Sequence, residues 1–305
     1  MITQILFPKK TEQIHPLFYN KQYRFFHDWA KLADIEVILL DDGIDKRVYG
    51  GSQGAAFFGP TAEHYSIVVD NKQLIIDFSD LMKEGVQVFD PSLPYVKHKY
   101  YDIRECRRIP NLYPIGSEMD IHAVSYQEFS DLCEQRLYTA QGDIVCSNQD
   151  ASNTRNGGRR AGVQALLRKW YGTNADTTFV HRNQKDFWKK VLNCFVSVVI
   201  PGACNSCIDR GHTEQFALGI AVVSPPLKTP FPFDILPQPG IHYVQCKDDF
   251  SDLRQVIHWC YTNKDECVRI GRNAADLYRA CYAPKQYFAW IEIVLRKHQE
   301  KETSL

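Results

Sequence analysis

The most informative part of this chain is the stretch Asp209-Arg210-Gly211-His212-Thr213-Glu214-Gln215-Phe216-Ala217-Leu218-Gly219. It follows one apolar run, Cys194–Pro201, and precedes a second, Ile220–Ser224. The order predicts a strand, a short helix that stops at glycine, and another buried strand. Strands joined through a helix pair in parallel. A parallel sheet of this kind binds its ligand outside the carboxyl ends of its strands, where the N-terminal mouth of this helix lies.

The mouth of this helix carries groups that suit a nucleotide diphosphate. Free backbone N–H groups and the positive end of the helix dipole attract phosphate. Arg210 adds a guanidinium that binds phosphate oxygens in pairs. Glu214, one turn later, offers two oxygens to the paired hydroxyls of a ribose. The alternative for Glu214 is an ordinary first-turn carboxylate that interacts with the helix dipole.

The composition limits the classes of protein and partner. The 305 residues suit one large domain or two of ordinary size. Lysine plus arginine equals aspartate plus glutamate at 36 each, so no basic field predicts nucleic acid or an anionic membrane as a partner. No apolar run approaches the roughly 20 residues of a membrane span, and residues 1–10 lack the order of a signal peptide. The ten cysteines follow no framework spacing, which favours reduced thiols and a cytoplasmic protein.

Strand and helix patterns alternate in two successive series. The first opens with a strand at Ile2–Phe7, a helix at Thr11–Leu32 and a strand at Ile35–Leu40, and a hairpin follows with its turn at Asp70-Asn71-Lys72. The second contains the stretch quoted above, with further strands at Asp143–Ser147, Thr177–His181 and Ile241–Cys246. Two such series predict an α/β protein with two Rossmann-like domains and a ligand in the cleft between them.

We place the domain boundaries where the alternation restarts and ends. We expect residues 1–140 to form the first domain and residues 141–284 to form the second, which binds the nucleotide. We expect residues 285–305 to form a C-terminal helix.

The second half resembles the donor-binding domain of GT-B nucleotide-sugar glycosyltransferases. Within these it is most similar to the family 90 protein O-glucosyl- and O-xylosyltransferases and the capsule-associated proteins. The matching segments are Asp209-Arg210 with Glu214 and Ala217-Leu218-Gly219, Pro239–Val244, Asp248–Leu253 and Ile270–Ala274. In the first half, Ile76–Asp80 followed by Tyr95-Val96-Lys97 is similar to the acceptor-side signature. The usual Trp-Arg-Gly-Ser is absent, and Val145-Cys146-Ser147-Asn148 stands in its place.

The resemblance implies an enzyme that transfers glucose or xylose from a UDP-sugar to a glycan or protein hydroxyl. It implies inversion at the sugar carbon and a leaving diphosphate balanced by basic side chains, without a metal. It also implies that residues 1–140 form the acceptor side of the cleft and that the helix over residues 285–305 returns toward the first domain. Because a fold does not establish activity, a non-catalytic nucleotide- or glycan-binding protein on the same scaffold is the alternative. A Rossmann oxidoreductase is disfavoured, since no Gly-x-Gly-x-x-Gly follows a predicted strand.

The predicted site combines a basic group and a pair of carboxylates. We expect Arg210, together with Arg155, Arg159 and Arg160, to bind the phosphates. We expect the main chain around Tyr243 or around Gly202–Cys204 to bind the base of the nucleotide. Asp80 is the first candidate for the catalytic base and Asp77 the second, with Asp41 and Asp42 behind them, and Lys97 aids phosphate or acceptor binding.

Several of these residues have simpler interpretations. Arg159 and Arg160 also suit solvated first-turn positions, Asp80 suits a helix cap, and Lys97 suits a solvated surface position. A zinc site at Cys204-Asn205-Ser206-Cys207 lacks a second pair of ligands at a suitable spacing.

Overall fold

The computed structural model describes residues 1–8, 25–40, 64–77, 92–97, 111–116, 123–138, 142–149, 151, 157–178, 184–201 and 208–303. The chain divides into two compact units. Unit 1 comprises Met1–Val124, Thr229–Ile235 and Cys281–Leu305, and unit 2 comprises Ser125–Lys228 and Leu236–Ala280.

Unit 1 is built on a mixed six-stranded sheet. Its strands are β1 (Gln4–Pro8), β2 (Glu36–Leu40), β3 (His64–Val69), β4 (Lys72–Asp77), β5 (Tyr95–Lys97) and β6 (Leu112–Pro114). They lie in the order β2-β1-β3-β4-β5-β6. Strand β3 runs antiparallel to both neighbours, whereas the other pairs are parallel. The antiparallel strand is a consequence of the predicted hairpin, which is confirmed as β3–β4.

The hairpin turn explains why two residues adopt left-handed backbone angles. Asp70 and Asn71 have φ values of 44° and 65°, the pattern of the two-residue turn whose twist matches that of the strands. The Asp70 carboxylate also accepts hydrogen bonds from the main-chain N–H groups of Thr3 (3.1 Å) and Gln4 (3.0 Å). The turn is thereby attached to the neighbouring strand β1.

Two tryptophans attach helices to the rest of unit 1. Residues 25–32 are helical (α1), and Trp29 of this helix donates its indole N–H to the carbonyl of Tyr282 at 2.7 Å. The last helix of the chain also belongs to unit 1, and its Trp290 donates to the carbonyl of Pro114 at 2.6 Å. Because both indoles are buried with their single donor satisfied, they contribute apolar area without an unpaired polar group.

Unit 2 is built on an all-parallel five-stranded sheet. Its strands are β7 (Ile144–Cys146), β8 (Ala175–Asp176), β9 (Cys194–Val198), β10 (Ala221–Ser224) and β11 (Val244–Gln245). The order is β11-β10-β9-β7-β8. The chain therefore passes from β7 to β8 on one side and crosses back to β9 on the other, as in doubly wound folds.

Helices precede, connect and follow these strands. In chain order they are α2 (Ala123–Tyr138), α3 (Gly157–Tyr171), α4 (Gln184–Leu192), α5 (Arg210–Ala217), α6 (Leu253–Thr262), α7 (Lys264–Tyr282) and α8 (Pro284–Glu302). One face of the sheet packs on α3, α6 and α7 in an apolar core that includes Val145, Leu167, Val196 and Ile257. The predicted α/β class with two Rossmann-like units is confirmed.

Some predicted boundaries differ from the structure. Thr177 and Thr178, the first residues of the strand expected at Thr177–His181, follow the observed strand Ala175–Asp176, and residues 179–181 lie outside the described residues. The strand expected at Ile241–Cys246 is reduced to Val244–Gln245, because Gly240 at φ +74° begins a turn there. Most of α2 belongs to unit 2, although the predicted boundary at residue 140 assigns this helix to the first domain. Within the described part of the chain, no helix has both the length and the apolar character that crossing a membrane requires.

Candidate functional site

The carboxyl edge of the unit 2 sheet has the features of a ligand site. Strand β7 lies between β8 and β9, so the strand order reverses beside it, and open α/β sheets bind ligands outside the carboxyl ends of the strands at such a point. The segments that leave this edge are Ser147–Gln149 after β7 and Val199–Pro201 after β9. Helix α5, which follows β9, begins at the same edge.

Two glutamines join the segments after β7 and β9. The Gln164 amide of α3 donates to the carbonyls of Ser147 (3.0 Å) and Gln149 (2.8 Å). The Gln149 side-chain oxygen in turn accepts from the main-chain N–H of Ile200 at 2.5 Å. Irregular backbone at the sheet edge is therefore hydrogen-bonded by side chains, as buried backbone groups require.

Arg160 connects α3, the end of β9 and the start of α5. Its Nε and Nη2 donate to the Ile200 carbonyl at 3.0 and 2.8 Å, and Nη2 also donates to Asp209 Oδ2 at 3.2 Å. The residue is buried. The guanidinium that the sequence assigned to phosphate thus binds protein acceptors.

Asp209 is the N-cap of α5. Its backbone is extended, and its Oδ1 accepts from the N–H of Gly211 at 3.0 Å, which satisfies one donor of the first helical turn. The Asp209 N–H donates to His212 Nδ1 at 3.2 Å, and His212 Nε2 lies 3.0 Å from Ser224 Oγ at the end of β10. This fully buried imidazole links the start of α5 to the neighbouring strand end.

Arg210 and Glu214 lie on successive turns at the mouth of α5. Arg210 Nε and Glu214 Oε1 are 3.9 Å apart, and their side chains are 42% and 6% exposed. The helix mouth therefore combines a partly exposed cation with a nearly buried carboxylate. Gly219, at φ +68°, follows the helix as the predicted stop.

The remaining predicted donor-site residues differ in burial and contacts. Arg159 is exposed in the first turn of α3. Tyr243 is buried, and its hydroxyl accepts from the N–H of Leu227 (3.1 Å) and donates to Gln245 Oε1 (3.2 Å). Burial raises the pKa of the Tyr243 hydroxyl. Because both hydrogen bonds of the Tyr243 hydroxyl are made within the fold, only the main chain of this residue is a candidate for the predicted contact with the nucleotide base. Arg155 and residues 202–204 lie outside the described residues.

In unit 1, Asp77 and Lys97 are the final residues of the neighbouring parallel strands β4 and β5, and they are register partners. Lys97 is 1% exposed, so its interpretation as a solvated surface lysine is wrong. Its position between β4 and β6 in the sheet accounts for the burial. Asp80, Asp41 and Asp42 lie outside the described residues.

Sequence reasoning missed the residues that support the helix mouth. The cap formed by Asp209 had a signal, since an Asp followed three residues later by a side chain that reaches back has the spacing of a capping box. No sequence pattern indicates the roles of Gln149 and Gln164, because their hydrogen bonds form between segments that only the tertiary structure brings together.

Comparison with known proteins gives distant likenesses. No protein-family model matches the chain. A 65-residue segment is 32% identical to the uncharacterized protein 179R of Invertebrate iridescent virus 6. That match covers 21% of this chain and spans 6% of the length of the viral protein.

Solved structures that are similar to the chain include glycosyltransferases. HepE of Anabaena, in complex with UDP and glucose, is 12% identical over 100% of both chains with a TM-score of 0.43. A glycosyltransferase of Rickettsia africae is 8% identical over 97% of both chains with a TM-score of 0.45. Sucrose-phosphate synthase of Thermosynechococcus elongatus is 15% identical over 69% of this chain and 52% of its own, with a TM-score of 0.36. At such low scores and identities, these likenesses alone establish neither the fold nor the activity.

Proposed function

We propose that this protein is a glycosyltransferase that binds a nucleotide-diphosphate sugar, with UDP as the nucleotide, at the carboxyl edge of the unit 2 sheet. The observation that carries the proposal is the pair Arg210 and Glu214 at the N-terminal mouth of α5. A phosphate needs donors and positive charge, and a ribose needs an acceptor for two hydroxyls. Both requirements are met within one turn of one helix, at the edge where a doubly wound sheet binds ligands.

Each residue of the proposed donor site has a separate role. Arg210 and the positive end of the α5 dipole bind the diphosphate, with Arg155 and with Arg159 of the first turn of α3 as further cations. Glu214 accepts hydrogen bonds from the ribose hydroxyls, which explains a carboxylate kept 6% exposed beside a cation. The main chain at Tyr243 binds the uracil base of the nucleotide.

The departing diphosphate is stabilised by these cations and by the helix N-terminus in this proposal, without a metal ion. Activity should therefore survive treatment with EDTA. A strict requirement for magnesium or manganese would show that a metal ion stabilises the leaving diphosphate.

We place the catalytic base in unit 1, where Asp80 is the first choice and Asp77 the second. The acceptor oxygen attacks the anomeric carbon, the bond from that carbon to the diphosphate oxygen breaks, and the aspartate takes the hydroxyl proton. Attack opposite the leaving group inverts the sugar carbon. The position of Asp77 at the end of β4, in register with the buried Lys97, supports a polar site at this edge, where Lys97 would bind acceptor or phosphate.

The sugar and the acceptor follow from the family resemblance of the sequence: glucose or xylose as the donor sugar, and a glycan or protein hydroxyl as the acceptor. Replacing the base by asparagine keeps its shape and removes proton acceptance, so turnover should fall by roughly 10²- to 10⁴-fold while UDP binding stays intact. If the Asp80→Asn and Asp77→Asn variants both turn over normally, neither residue is the base.

The test of the function is a two-stage assay on the full chain. A thermal-shift panel of UDP, GDP, ADP and their glucose conjugates identifies the nucleotide, and release of UDP from UDP-glucose and UDP-xylose then measures turnover. Stabilisation by UDP with turnover of one sugar is the expected result. Stabilisation without turnover, with any acceptor class, would instead identify a nucleotide-binding protein. No stabilisation by any nucleotide would refute the proposal.

A further inference from the structure

The helix that receives the diphosphate in our proposal begins on a negative charge. Asp209 caps α5 through Oδ1, which accepts from the N–H of Gly211 at 3.0 Å. A carboxylate at this point is favourable for the helix itself but repels an anionic ligand that approaches the same end of the helix. Asparagine or serine caps a helix equally well without a charge. The choice of aspartate therefore has a cost for phosphate binding unless a cation balances it.

The structure places such a cation against Asp209. Arg160 Nη2 lies 3.2 Å from Asp209 Oδ2, the oxygen that does not accept from Gly211. The two side chains are 8% and 17% exposed, so water screens their interaction less than it screens a surface pair. The Ile200 carbonyl accepts two further bonds from the same guanidinium, which fixes its position at the strand end.

We propose that Arg160 is a positioning residue that neutralises the Asp209 cap, so that the mouth of α5 keeps the positive potential that a diphosphate requires. This inference rests on the proposed function. Arg160 acts here through Asp209 and does not contact the ligand. The arrangement repeats at the ribose position, where Arg210 lies beside Glu214, so each acid at the helix mouth has an arginine beside it.

The experiment compares wild type, Arg160→Gln, Asp209→Asn and the double variant by calorimetric titration with UDP and with uridine. Gln at position 160 keeps a donor for the Ile200 carbonyl, and Asn at position 209 keeps the cap. We expect Arg160→Gln to weaken UDP binding roughly tenfold, because the negative charge of Asp209 then faces the diphosphate without the balancing guanidinium. Asp209→Asn should bind UDP several-fold more tightly, and the double variant should return to within about threefold of wild type, because the pair of side chains again carries no net charge.

Uridine separates a charge effect from a structural one. It lacks phosphate, so its affinity should be equal in all four proteins. A double variant that stays as weak as Arg160→Gln, or a uridine affinity that falls in parallel, would show that Arg160 acts through the backbone and would overturn the inference.

Two further outcomes are decisive. If Arg160→Gln does not fold, Asp209→Asn decides alone, and unchanged UDP affinity in that variant contradicts the inference. If wild type binds no UDP, the proposed function itself fails; if wild type binds UDP and both single variants match it, only the role of Arg160 fails.

Discussion

Gly271 of α7 packs against the carbonyl of Gly219, which lies two residues beyond the end of α5. A Cβ atom added at Gly271 would lie 2.2 Å from the Gly219 oxygen and 3.3 Å from the Ala221 nitrogen. Real Cβ atoms do not approach backbone oxygen so closely, so only glycine fits at position 271. This contact holds the C-terminal end of the helix that carries Arg210 and Glu214. It also explains why a glycine stands in Ile270–Ala274, one of the segments that resemble the glycosyltransferases.

Gly271→Ala should therefore lower the free energy of unfolding, by about 1–3 kcal/mol or more, because the backbone must shift to admit the methyl group. Denaturant titration measures the change. Gly162→Ala is the matched control, since no atom lies within 4 Å of its added Cβ in α3 and alanine favours a helix by up to about 1 kcal/mol. Equal stability of Gly271→Ala and wild type would contradict the close packing.

The charge of Asp70 should stabilise the protein at neutral pH and cease to do so in acid. Burial alone raises the pKa of this carboxyl, but the hydrogen bonds from Gln4 and Thr3 outweigh burial, so the pKa is lowered. A carboxyl with a lowered folded-state pKa stabilises the fold above its unfolded pKa, and this contribution is lost as pH falls through the folded pKa.

We expect Asp70→Asn, which keeps a residue suited to the left-handed turn, to melt below wild type at neutral pH. The difference in melting temperature should shrink as the pH is lowered to about 3, below the usual carboxyl range. A difference that stays constant over this pH range would refute the electrostatic origin.

Three buried thiols should be chemically inert in the folded protein. Burial raises the pKa values of Cys133, Cys246 and Cys281 to about 12 each, so almost no reactive thiolate forms near neutral pH. Iodoacetamide applied to the native chain should leave all three unlabelled in a peptide mass spectrum. The same reagent after unfolding in guanidinium is the positive control. Native labelling at the rate of the unfolded chain would show that these thiols are accessible.

Tyr243→Phe should affect stability and leave UDP affinity unchanged. The substitution removes the hydroxyl that bonds both Leu227 and Gln245, and it leaves the Leu227 N–H without this acceptor. A loss of about 1–2 kcal/mol in the free energy of unfolding is the expected cost. Calorimetric titration with UDP is the second readout. Weaker UDP binding with unchanged stability would instead place the phenol in the binding site.

The sequence predicted α5 and its neighbouring strands because apolar runs, a polar helix and a glycine stop all agree locally. It did not predict the pair Arg160 and Asp209, whose members are 49 residues apart and meet only when α3 and the end of β9 pack together. Ile241 misled the prediction of a strand, because its apolar side chain is 41% exposed in the turn after Gly240. The Arg160–Asp209 pair and the turn at Ile241 both depend on the tertiary structure, which a local sequence pattern does not show.

The preference of the protein for ribose over deoxyribose tests the role of Glu214. UDP and 2′-deoxy-UDP are titrated into wild type, Glu214→Ala and the control Glu266→Gln, which alters an exposed glutamate of α7 that pairs with Arg269. If Glu214 binds the ribose hydroxyls, wild type and the control should prefer UDP by roughly 5- to 100-fold, the range of a charged hydrogen bond. Glu214→Ala should bind both nucleotides with one weakened affinity. A preference for UDP that survives in Glu214→Ala would contradict the account.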